Sequence, residues 1–239
     1  MAIERKTGIL YAVGVGPGDP ELITMKTHRI LSSVPVIFAP RPHAEKNSYA
    51  RSIIEGLVNE SEQETIDLTF PMIKDSSKLR EFWERATQEI WQKLAEGKDC
   101  AFVTEGDPLL YGTFAYVLSI MQERHPEVAI EIVPGVSSIN AAAASALLPL
   151  SSGGERIAII PATYETGALR ETLASFDTII LMKVHSVLDS VIDVIEEMGL
   201  IANCVLVKRC TTEEEEIVRD ISKLRGQKGD YFSLLIVRR

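Results

Sequence analysis

The sequence predicts an α/β protein with two α/β domains, the second of which has a mixed, partly antiparallel sheet. Short buried strands alternate with amphipathic helices from the start of the chain, which is typical of a mostly parallel sheet covered by helices. The last third breaks this alternation, because three strand-like runs follow one another with short connections. The length of 239 residues favours two modest cores over a single one.

The first predicted domain covers residues 1–135 and ends at a Pro-Gly turn. Hydrophobic periodicity divides it into alternating strands and helices, and this order predicts a doubly wound sheet. The predicted strands are Leu10 to Val15, Val34 to Ala39, Ile66 to Phe70, Cys100 to Thr104 and Ala129 to Val133, and the predicted helices are Thr24 to Ser32, Ser48 to Val58, Ser77 to Glu96 and Thr113 to Glu123.

The second predicted domain covers residues 136–239 and begins with an alanine-rich helix. Two strands, Arg156 to Pro161 and Thr178 to Lys183, and a helix from Ser186 to Met198 follow. The final runs, Asn203 to Arg209, Glu215 to Asp220 and Tyr231 to Val237, predict an antiparallel edge to the second sheet. The acidic run Glu213 to Glu216 is interpreted as a solvated strand or turn.

Charge and hydropathy narrow the possible partners. The net charge of −9 argues against nucleic acid, because nucleic-acid-binding surfaces are basic. The N-terminal residues mix charges and lead into one short apolar run, unlike a signal peptide. Apolar runs stay well short of the roughly 20 residues that span a bilayer. We therefore expect a cytoplasmic protein, without a membrane partner, that binds a small molecule.

The cysteines and histidines do not suggest a metal site. Cys100, Cys204 and Cys210 lack the paired spacing of zinc and redox motifs, and we expect buried reduced thiols. The histidines are scattered without metal-ligand spacing, so we predict no metal bound by protein side chains. They are His28, His43, His125 and His185.

Glycine-containing loops follow three of the predicted strands, where open α/β sheets bind their ligands. The first loop covers residues 14–20, the second 104–113 and the third 134–138. Glycines in the first loop allow a ligand to approach the backbone. Its spacing differs from that of a dinucleotide loop, and Pro17 and Pro20 prevent a helix from opening directly below a pyrophosphate. A tight structural turn explains such a glycine cluster equally well.

The second loop combines carboxylates, an aromatic ring and a hydroxyl. Glu105, Asp107, Tyr111 and Thr113 suit a ligand that is cationic and partly apolar, so a sulfonium fits better than a phosphate. In the third loop, capping of the following helix is sufficient to explain the serines Ser137 and Ser138.

Taken together, the loops resemble the tetrapyrrole methylases of the cobalamin and sirohaem pathways, over nearly the whole chain. Within that family, Glu105 to Tyr111 and Leu181 to Lys183 are similar to the C-20 methyltransferases, which act on precorrin-2 or cobalt-factor II. Gly112 departs from the pattern, in which a serine is expected. The matching stretches are Gly14-Val15-Gly16-Pro17-Gly18-Asp19, Gly106-Asp107-Pro108 and Pro134-Gly135-Val136-Ser137-Ser138.

The resemblance implies two α/β domains flanking a cleft and a homodimer. It implies that S-adenosylmethionine is bound between the domains and leaves as S-adenosylhomocysteine. The implied reaction is methylation of C-20 of cobalt-factor II or cobalt-precorrin-2, with metal-free precorrin-2 as the alternative. The implied cofactor-binding residues are Pro17, Gly106, Asp107, Tyr111, Thr113, Val136, Ser137 and Met182, and Gly16 and Asp19 are implied on the substrate side.

Methyl transfer from a sulfonium requires orientation and exclusion of water more than covalent chemistry. We therefore predict no catalytic triad. Glu105, Asp107 and Tyr111 are candidates for a base that removes the meso proton, although structural roles explain them equally well.

A tetrapyrrole substrate carries several carboxylates, which cationic side chains bind. Arg41, His43 and Lys183 follow apolar strands and are the candidate anchors. Arg41 lies between Pro40 and Pro42, which favours it because a stiff loop loses little freedom on binding.

Two other functions remain open at the level of sequence. A nicotinamide-dependent oxidoreductase could use the first loop, although the second strand offers no carboxylate for a ribose hydroxyl. A non-catalytic sensor of a tetrapyrrole or adenosine ligand would keep the same fold.

Overall fold

The computed structural model describes residues 7–73, 75–162 and 168–239, and the strands in these ranges form two five-stranded sheets. The chain divides into two compact units, Met1–Ser137 and Ser138–Arg239. The first sheet lies in the first unit and the second sheet in the second.

The first sheet is parallel throughout, in the order β3-β2-β4-β1-β5. This arrangement confirms the predicted doubly wound sheet, and β1 lies between β4 and β5. The strands are β1 (Leu10–Gly14), β2 (Val36–Arg41), β3 (Glu64–Thr69), β4 (Cys100–Thr104) and β5 (Ile130–Val133), and the helices are α1 (Met25–Leu31), α2 (Tyr49–Ile54), α3 (Ser76–Ala95) and α4 (Phe114–Arg124).

Helices cover both faces of the first sheet. Ile37 and Val103 belong to the core beneath α1 and α2, whereas Phe38 and Phe102 belong to the core beneath α3 and α4. Consecutive strand residues point to opposite faces, so both faces of β2 and β4 are apolar. All five residues of β4 are buried, as expected for a central parallel strand.

Helix α3 shows how local sequence sets helix ends. The Asp75 carboxylate accepts hydrogen bonds from the backbone N–H groups of Ser77 and Lys78, and Gly97 follows with φ +79°. Trp83 stacks on Tyr116 of α4 with ring centroids 3.8 Å apart and packs against the core. None of the described helices has the length and apolarity of a membrane span.

Strand β2 differs from its prediction. The predicted strand ended at Ala39, whereas the observed strand continues through Pro40 to Arg41. Pairing of β2 with β4 stops at Phe38, while pairing with β3 continues to Arg41. Because β2 has a strand partner on only one side beyond Phe38, a proline is tolerated there. Arg41 is therefore the last residue of a strand rather than part of a loop.

The second sheet is mixed, as predicted, in the order β6-β7-β10-β8-β9. Only β6 and β7 pair in parallel, and the other neighbours in this sheet are antiparallel. The elements are α5 (Ser138–Ser145), β6 (Ile157–Pro161), α6 (Leu169–Ser175), β7 (Thr178–Met182), α7 (Leu188–Glu197), β8 (Cys204–Lys208), β9 (Glu216–Val218) and β10 (Ser233–Arg238).

The last three strands form an antiparallel edge, as predicted, because β10, β8 and β9 lie side by side on one side of the second sheet. Strand β9 is outermost, and β10 lies between β7 and β8. Residues 234–237 of β10 form a continuous buried apolar run, which is what a strand covered on both faces requires. Helix α6 was not predicted, because its buried side chains Leu169 and Leu173 are too few to give a periodic signal. A 3₁₀ helix, Ile221–Leu224, interrupts the final strands.

The cysteines are free and buried, which confirms the prediction from their spacing. Burial raises the pKa of the Cys100 thiol and of the Cys204 thiol to about 12. Because the thiolate is the reactive form, both groups are unreactive near neutral pH in the folded chain.

We expect the native protein to react slowly with a thiol-specific disulfide reagent at pH 8, since burial blocks access and keeps Cys100 and Cys204 protonated. The unfolded chain should release one chromophore equivalent for each of its 3 cysteines. Absorbance before and after addition of guanidinium chloride measures both values. A full equivalent released rapidly by the native protein would contradict the burial of these thiols.

Candidate active site

The three loops meet at the carboxyl edge of the first sheet, because they follow the adjacent strands β4, β1 and β5. A Cβ atom on Gly14 would lie 2.5 Å from the carbonyl oxygen of Gly106 and 2.6 Å from the Cα of Gly135. A Cβ on Gly135 would collide with the same oxygen and lie 2.8 Å from the Cα of Gly14. We call these three residues the glycine junction. Its backbones are too close for any side chain at positions 14 and 135.

Backbone hydrogen bonds join the first loop to the second. The N–H of Gly106 donates to the carbonyl of Gly16 at 2.8 Å, and the N–H of Val15 donates to the carbonyl of Thr104 at 2.9 Å. Gly16 and Gly106 have φ values of +78° and +68°, a region that glycine adopts without strain. The glycines that sequence analysis assigned to ligand approach therefore also bring the loops together.

The Asp107 carboxylate joins the second loop to the third. One oxygen accepts the N–H of Leu109 at 2.9 Å, and the other accepts the N–H of Gly135 at 3.1 Å. Both oxygens are thus engaged by backbone donors. This geometry favours a positioning role for Asp107, and its predicted role as a base stays a prediction.

The second loop presents apolar and aromatic surface. Leu109 is 54% exposed and Tyr111 is 44% exposed. Tyr111 has a φ of +53°, which is uncommon outside glycine and often marks functional loops. Glu105 and Thr113 are partly buried, and Thr113 directly precedes α4.

Crowding explains the glycine at position 112. A Cβ there would lie 3.1 Å from the Pro108 carbonyl oxygen and 3.1 Å from the Cγ2 of Thr104. Thr104 is only 4% exposed, so its methyl group has little room to move. The expected serine would therefore require its neighbours to move by a few tenths of an ångström in this chain.

The first loop is held by side chains that sequence analysis missed. The buried Thr27 hydroxyl of α1 donates to the carbonyl of Gly14 at 3.2 Å. The Tyr49 hydroxyl of α2 donates to the carbonyl of Pro17 at 3.2 Å. Asp19 accepts the N–H of Glu21 at 2.8 Å and caps the 3₁₀ helix Pro20–Leu22. No spacing rule connects Thr27 or Tyr49 to a loop so far back in the chain.

The candidate anchors of the first unit lie at or just after the carboxyl end of β2. Arg41 Nη1 lies 3.3 Å from Asp67 Oδ2 of β3, and the side chains are 25% and 18% exposed. His43 is exposed in the turn that follows, where its carbonyl accepts the N–H of Lys46 at 3.1 Å. Arg41 thus has an internal partner that sequence analysis did not foresee.

The remaining predicted residues lie in two places. Val136 and Ser137 belong to the third loop and are partly buried. Met182 ends β7 in the second unit, and Lys183 follows with a φ of +57°. The structure therefore brings together, at one edge of the first sheet, the predicted residues that the three loops contribute.

The loop between β8 and β9 is strained, which sequence analysis did not anticipate. Arg209 and Thr211 have φ values of +45° and +66°, and positive φ is exceptional for a β-branched residue. The Glu215 carboxylate accepts the N–H of Thr211 at 2.6 Å and the hydroxyl of Ser145 at 2.8 Å. Glu215 was interpreted as part of a solvated run, but it fixes this loop to α5.

Comparison with known proteins identifies the family. The model of the tetrapyrrole (corrin/porphyrin) methylases matches residues 9–224, so this chain belongs to the tetrapyrrole methylase family. Membership confirms the predicted class of enzyme, a methyltransferase, and removes the nicotinamide-dependent alternative. The structure agrees with this exclusion. A 3₁₀ helix and Thr24, the N-cap of α1, lie between the first loop and α1, so α1 does not begin directly below the loop as the helix of a dinucleotide site does.

Two relatives match over nearly their full length. The chain is 39% identical to the probable cobalt-precorrin-2 C(20)-methyltransferase of Methanocaldococcus jannaschii, over 96% of each chain. It is 30% identical to the cobalt-precorrin-2 C(20)-methyltransferase of Salmonella typhimurium, over 97% of each chain.

Solved structures show the same fold. The uroporphyrin-III C-methyl transferase of Thermus thermophilus, in complex with S-adenyl homocysteine, gives a TM-score of 0.67 at 24% identity, over 97% of this chain and 98% of that one. A cobalt precorrin-4 methyltransferase gives a TM-score of 0.70 at 23% identity, over 96% of this chain and 94% of that one. These likenesses confirm the predicted two-domain α/β fold class.

Replacement of Gly135 by alanine should destabilise the protein by about 1–3 kcal/mol, the usual cost of overpacking a rigid site. The reason is that the added Cβ meets backbone rather than a movable side chain. Denaturant titration followed by circular dichroism measures the change in the free energy of unfolding.

The matched control is Gly56→Ala, since among the described residues nothing lies within 4 Å of a Cβ at that position. We expect Gly56→Ala to change the free energy of unfolding by less than about 1 kcal/mol. Equal stability of the two variants would show that the glycine junction is not a close contact.

Proposed function

We propose that this chain transfers the methyl group of S-adenosylmethionine to C-20 of cobalt-factor II or cobalt-precorrin-2, in the cobalt-dependent, anaerobic route to cobalamin. The main support is the near full-length similarity to two relatives named for the cobalt-precorrin-2 reaction. The converging glycine loops are consistent with it, since they give a ligand access to backbone at the edge where α/β sheets bind ligands.

The proposed contacts of S-adenosylmethionine are Pro17, Gly106, Asp107, Tyr111, Thr113, Val136, Ser137 and Met182. The residues of the three loops fit such a ligand by their chemistry. Peptide groups elsewhere in the three loops can hydrogen bond to its polar parts, and the exposed Leu109 and Tyr111 side chains can cover apolar parts. A carboxylate at Asp107 suits a nearby positive charge.

The donor supplies an already activated methyl group, so the protein's task is to orient the reactants and exclude water. Asp107 serves this task by holding the second and third loops together. We propose Glu105 or Tyr111 as the group that accepts the meso proton, since both oxygens of Asp107 already accept backbone hydrogen bonds.

The macrocycle is proposed to contact Gly16, Asp19, Arg41, His43 and Lys183. Cationic side chains at Arg41 and Lys183 complement its carboxylates. We propose that cobalt is part of the substrate. Among the described residues, His, Cys, Asp and Glu side chains form no group of three or more that could hold a metal ion.

The same proposal assigns a role to each domain. Residues 1–135 would carry the substrate trough and the first two loops, and residues 136–239 would share the cofactor site across a cleft. We further propose a homodimer located in the cytoplasm.

The decisive experiment incubates the protein with isotope-labelled S-adenosylmethionine and either cobalt-loaded or metal-free substrate, followed by mass spectrometry. We expect a singly methylated product, labelled at C-20, with the cobalt-loaded substrate. Faster turnover of the metal-free macrocycle would assign the chain to precorrin-2 instead.

We also expect S-adenosylhomocysteine to bind in the presence of a chelator. We expect a micromolar Kd, which corresponds to a binding free energy of roughly −8 kcal/mol. Isothermal calorimetry measures it. Binding of S-adenosylhomocysteine and of the tetrapyrrole without any methylated product would favour the sensor alternative. Absence of S-adenosylhomocysteine binding would contradict the proposal.

A further inference from the structure

Two arginines converge on one carboxylate at the carboxyl edge of the first sheet. Arg41 Nη1 lies 3.3 Å from Asp67 Oδ2, and Arg51 Nη1 lies 3.6 Å from the same oxygen. Arg51 was not recognised from the sequence, because it lies inside α2 and not after a strand. We call these three residues the arginine cluster.

Strand register and helix placement bring the cluster together. Ala39 pairs with Asp67 in the parallel register of β2 and β3, so the two side chains share a face. Arg41 lies two residues after Ala39 and therefore points to that face as well. Ala39 belongs to the core beneath α1 and α2, and α2 supplies Arg51. The cluster thus combines three elements at the ligand-binding edge of the sheet.

The cluster carries more positive than negative charge. Two guanidinium groups share Asp67, which is only 18% exposed. The other acidic partner, Glu60, lies 3.1 Å from Arg51 but is 72% exposed, and exposed ion pairs contribute little. One positive charge therefore remains weakly compensated in a partly buried place. This charge balance suits one additional carboxylate.

The arginine cluster also leaves hydrogen-bonding atoms without partners in the part of the chain that the structure describes. Arg41 Nε and Asp67 Oδ1 are buried and have no hydrogen-bond partner among the described residues. Buried polar groups are nearly always paired in folded proteins. The Nε and Nη donors of a guanidinium form a fork that matches a carboxylate, yet Asp67 engages Arg41 only through Nη1. Arg41 can therefore accept a second acidic partner after a small side-chain movement.

We propose that Arg41 and Arg51 together bind one carboxylate of the tetrapyrrole, and that Asp67 is a positioning residue that holds the two guanidinium groups side by side. This inference rests on the proposed function, which supplies a substrate with several carboxylates. It adds Arg51 as a substrate-binding residue and gives Asp67 a role through the arginines rather than through direct contact.

The test measures KM for the cobalt-loaded tetrapyrrole and for S-adenosylmethionine separately in Arg41→Ala, Arg51→Ala and the double variant. We expect each single variant to raise the tetrapyrrole KM about tenfold, as for loss of a partly exposed charge-assisted hydrogen bond. The KM for S-adenosylmethionine and kcat should change little. Arg51→Lys should rescue only in part, because lysine lacks the planar fork.

The double variant tests whether one carboxylate is shared. Residues that bind the same group have non-additive effects. The double variant should therefore raise the tetrapyrrole KM by less than the product of the two single fold-increases. Arg80→Ala is the matched control, since Arg80 lies on α3 in the first unit and pairs with Glu84. It should leave both KM values unchanged. A purely multiplicative double loss would overturn the shared carboxylate.

Asp67→Asn tests the positioning role. We expect it to raise the tetrapyrrole KM while kcat and S-adenosylhomocysteine affinity stay constant. A lowered KM would overturn this role and show that Asp67 competes with the substrate. An unchanged tetrapyrrole KM in Arg51→Ala would overturn the inference, provided that the wild type binds S-adenosylhomocysteine and methylates the substrate. Failure of the wild type in both assays would instead reject the proposed function.

Discussion

The approach of three backbones at the Gly106 carbonyl constrains the whole first unit. A side chain on Gly14 or Gly135 would overlap with this carbonyl or with the opposite glycine. The loops meet here because β1 lies between β4 and β5, which places the ends of these three strands side by side. Side chains stabilise the contact from two sides. The Thr27 hydroxyl of α1 binds the first loop, and the Asp107 carboxylate of the second loop binds the third.

This constraint determines what kind of ligand surface the edge can offer. The backbones of the first and second loops are hydrogen bonded to each other at the junction, while Tyr111 and Leu109 provide exposed apolar area at the same edge. Such a surface suits a chemistry that needs positioning rather than covalent catalysis. The two engaged oxygens of Asp107 fit this interpretation, because the residue stabilises loop geometry in the resting protein.

Charge is organised locally in a chain that is acidic overall. The net charge is −9, but Arg41 and Arg51 place two guanidinium groups around a single partly buried carboxylate. The electrostatic field that an anionic substrate meets depends on such neighbours within a few ångströms, since solvent and salt screen distant charges. A strongly acidic composition is therefore compatible with an anionic ligand.

The sequence by itself determined the alternation of elements, the extent of α3 to within one residue at each end, the mixed second sheet, the buried thiols and the family. These properties follow from local periodicity, capping residues and motifs that are contiguous in the chain. Tertiary structure alone decided the central place of β10, the continuation of β2 to Arg41, and the contacts of Thr27, Tyr49, Asp67 and Arg51. The physical reason is that pairing partners and ion pairs between distant segments depend on which strands and helices become neighbours, and no local pattern carries that information.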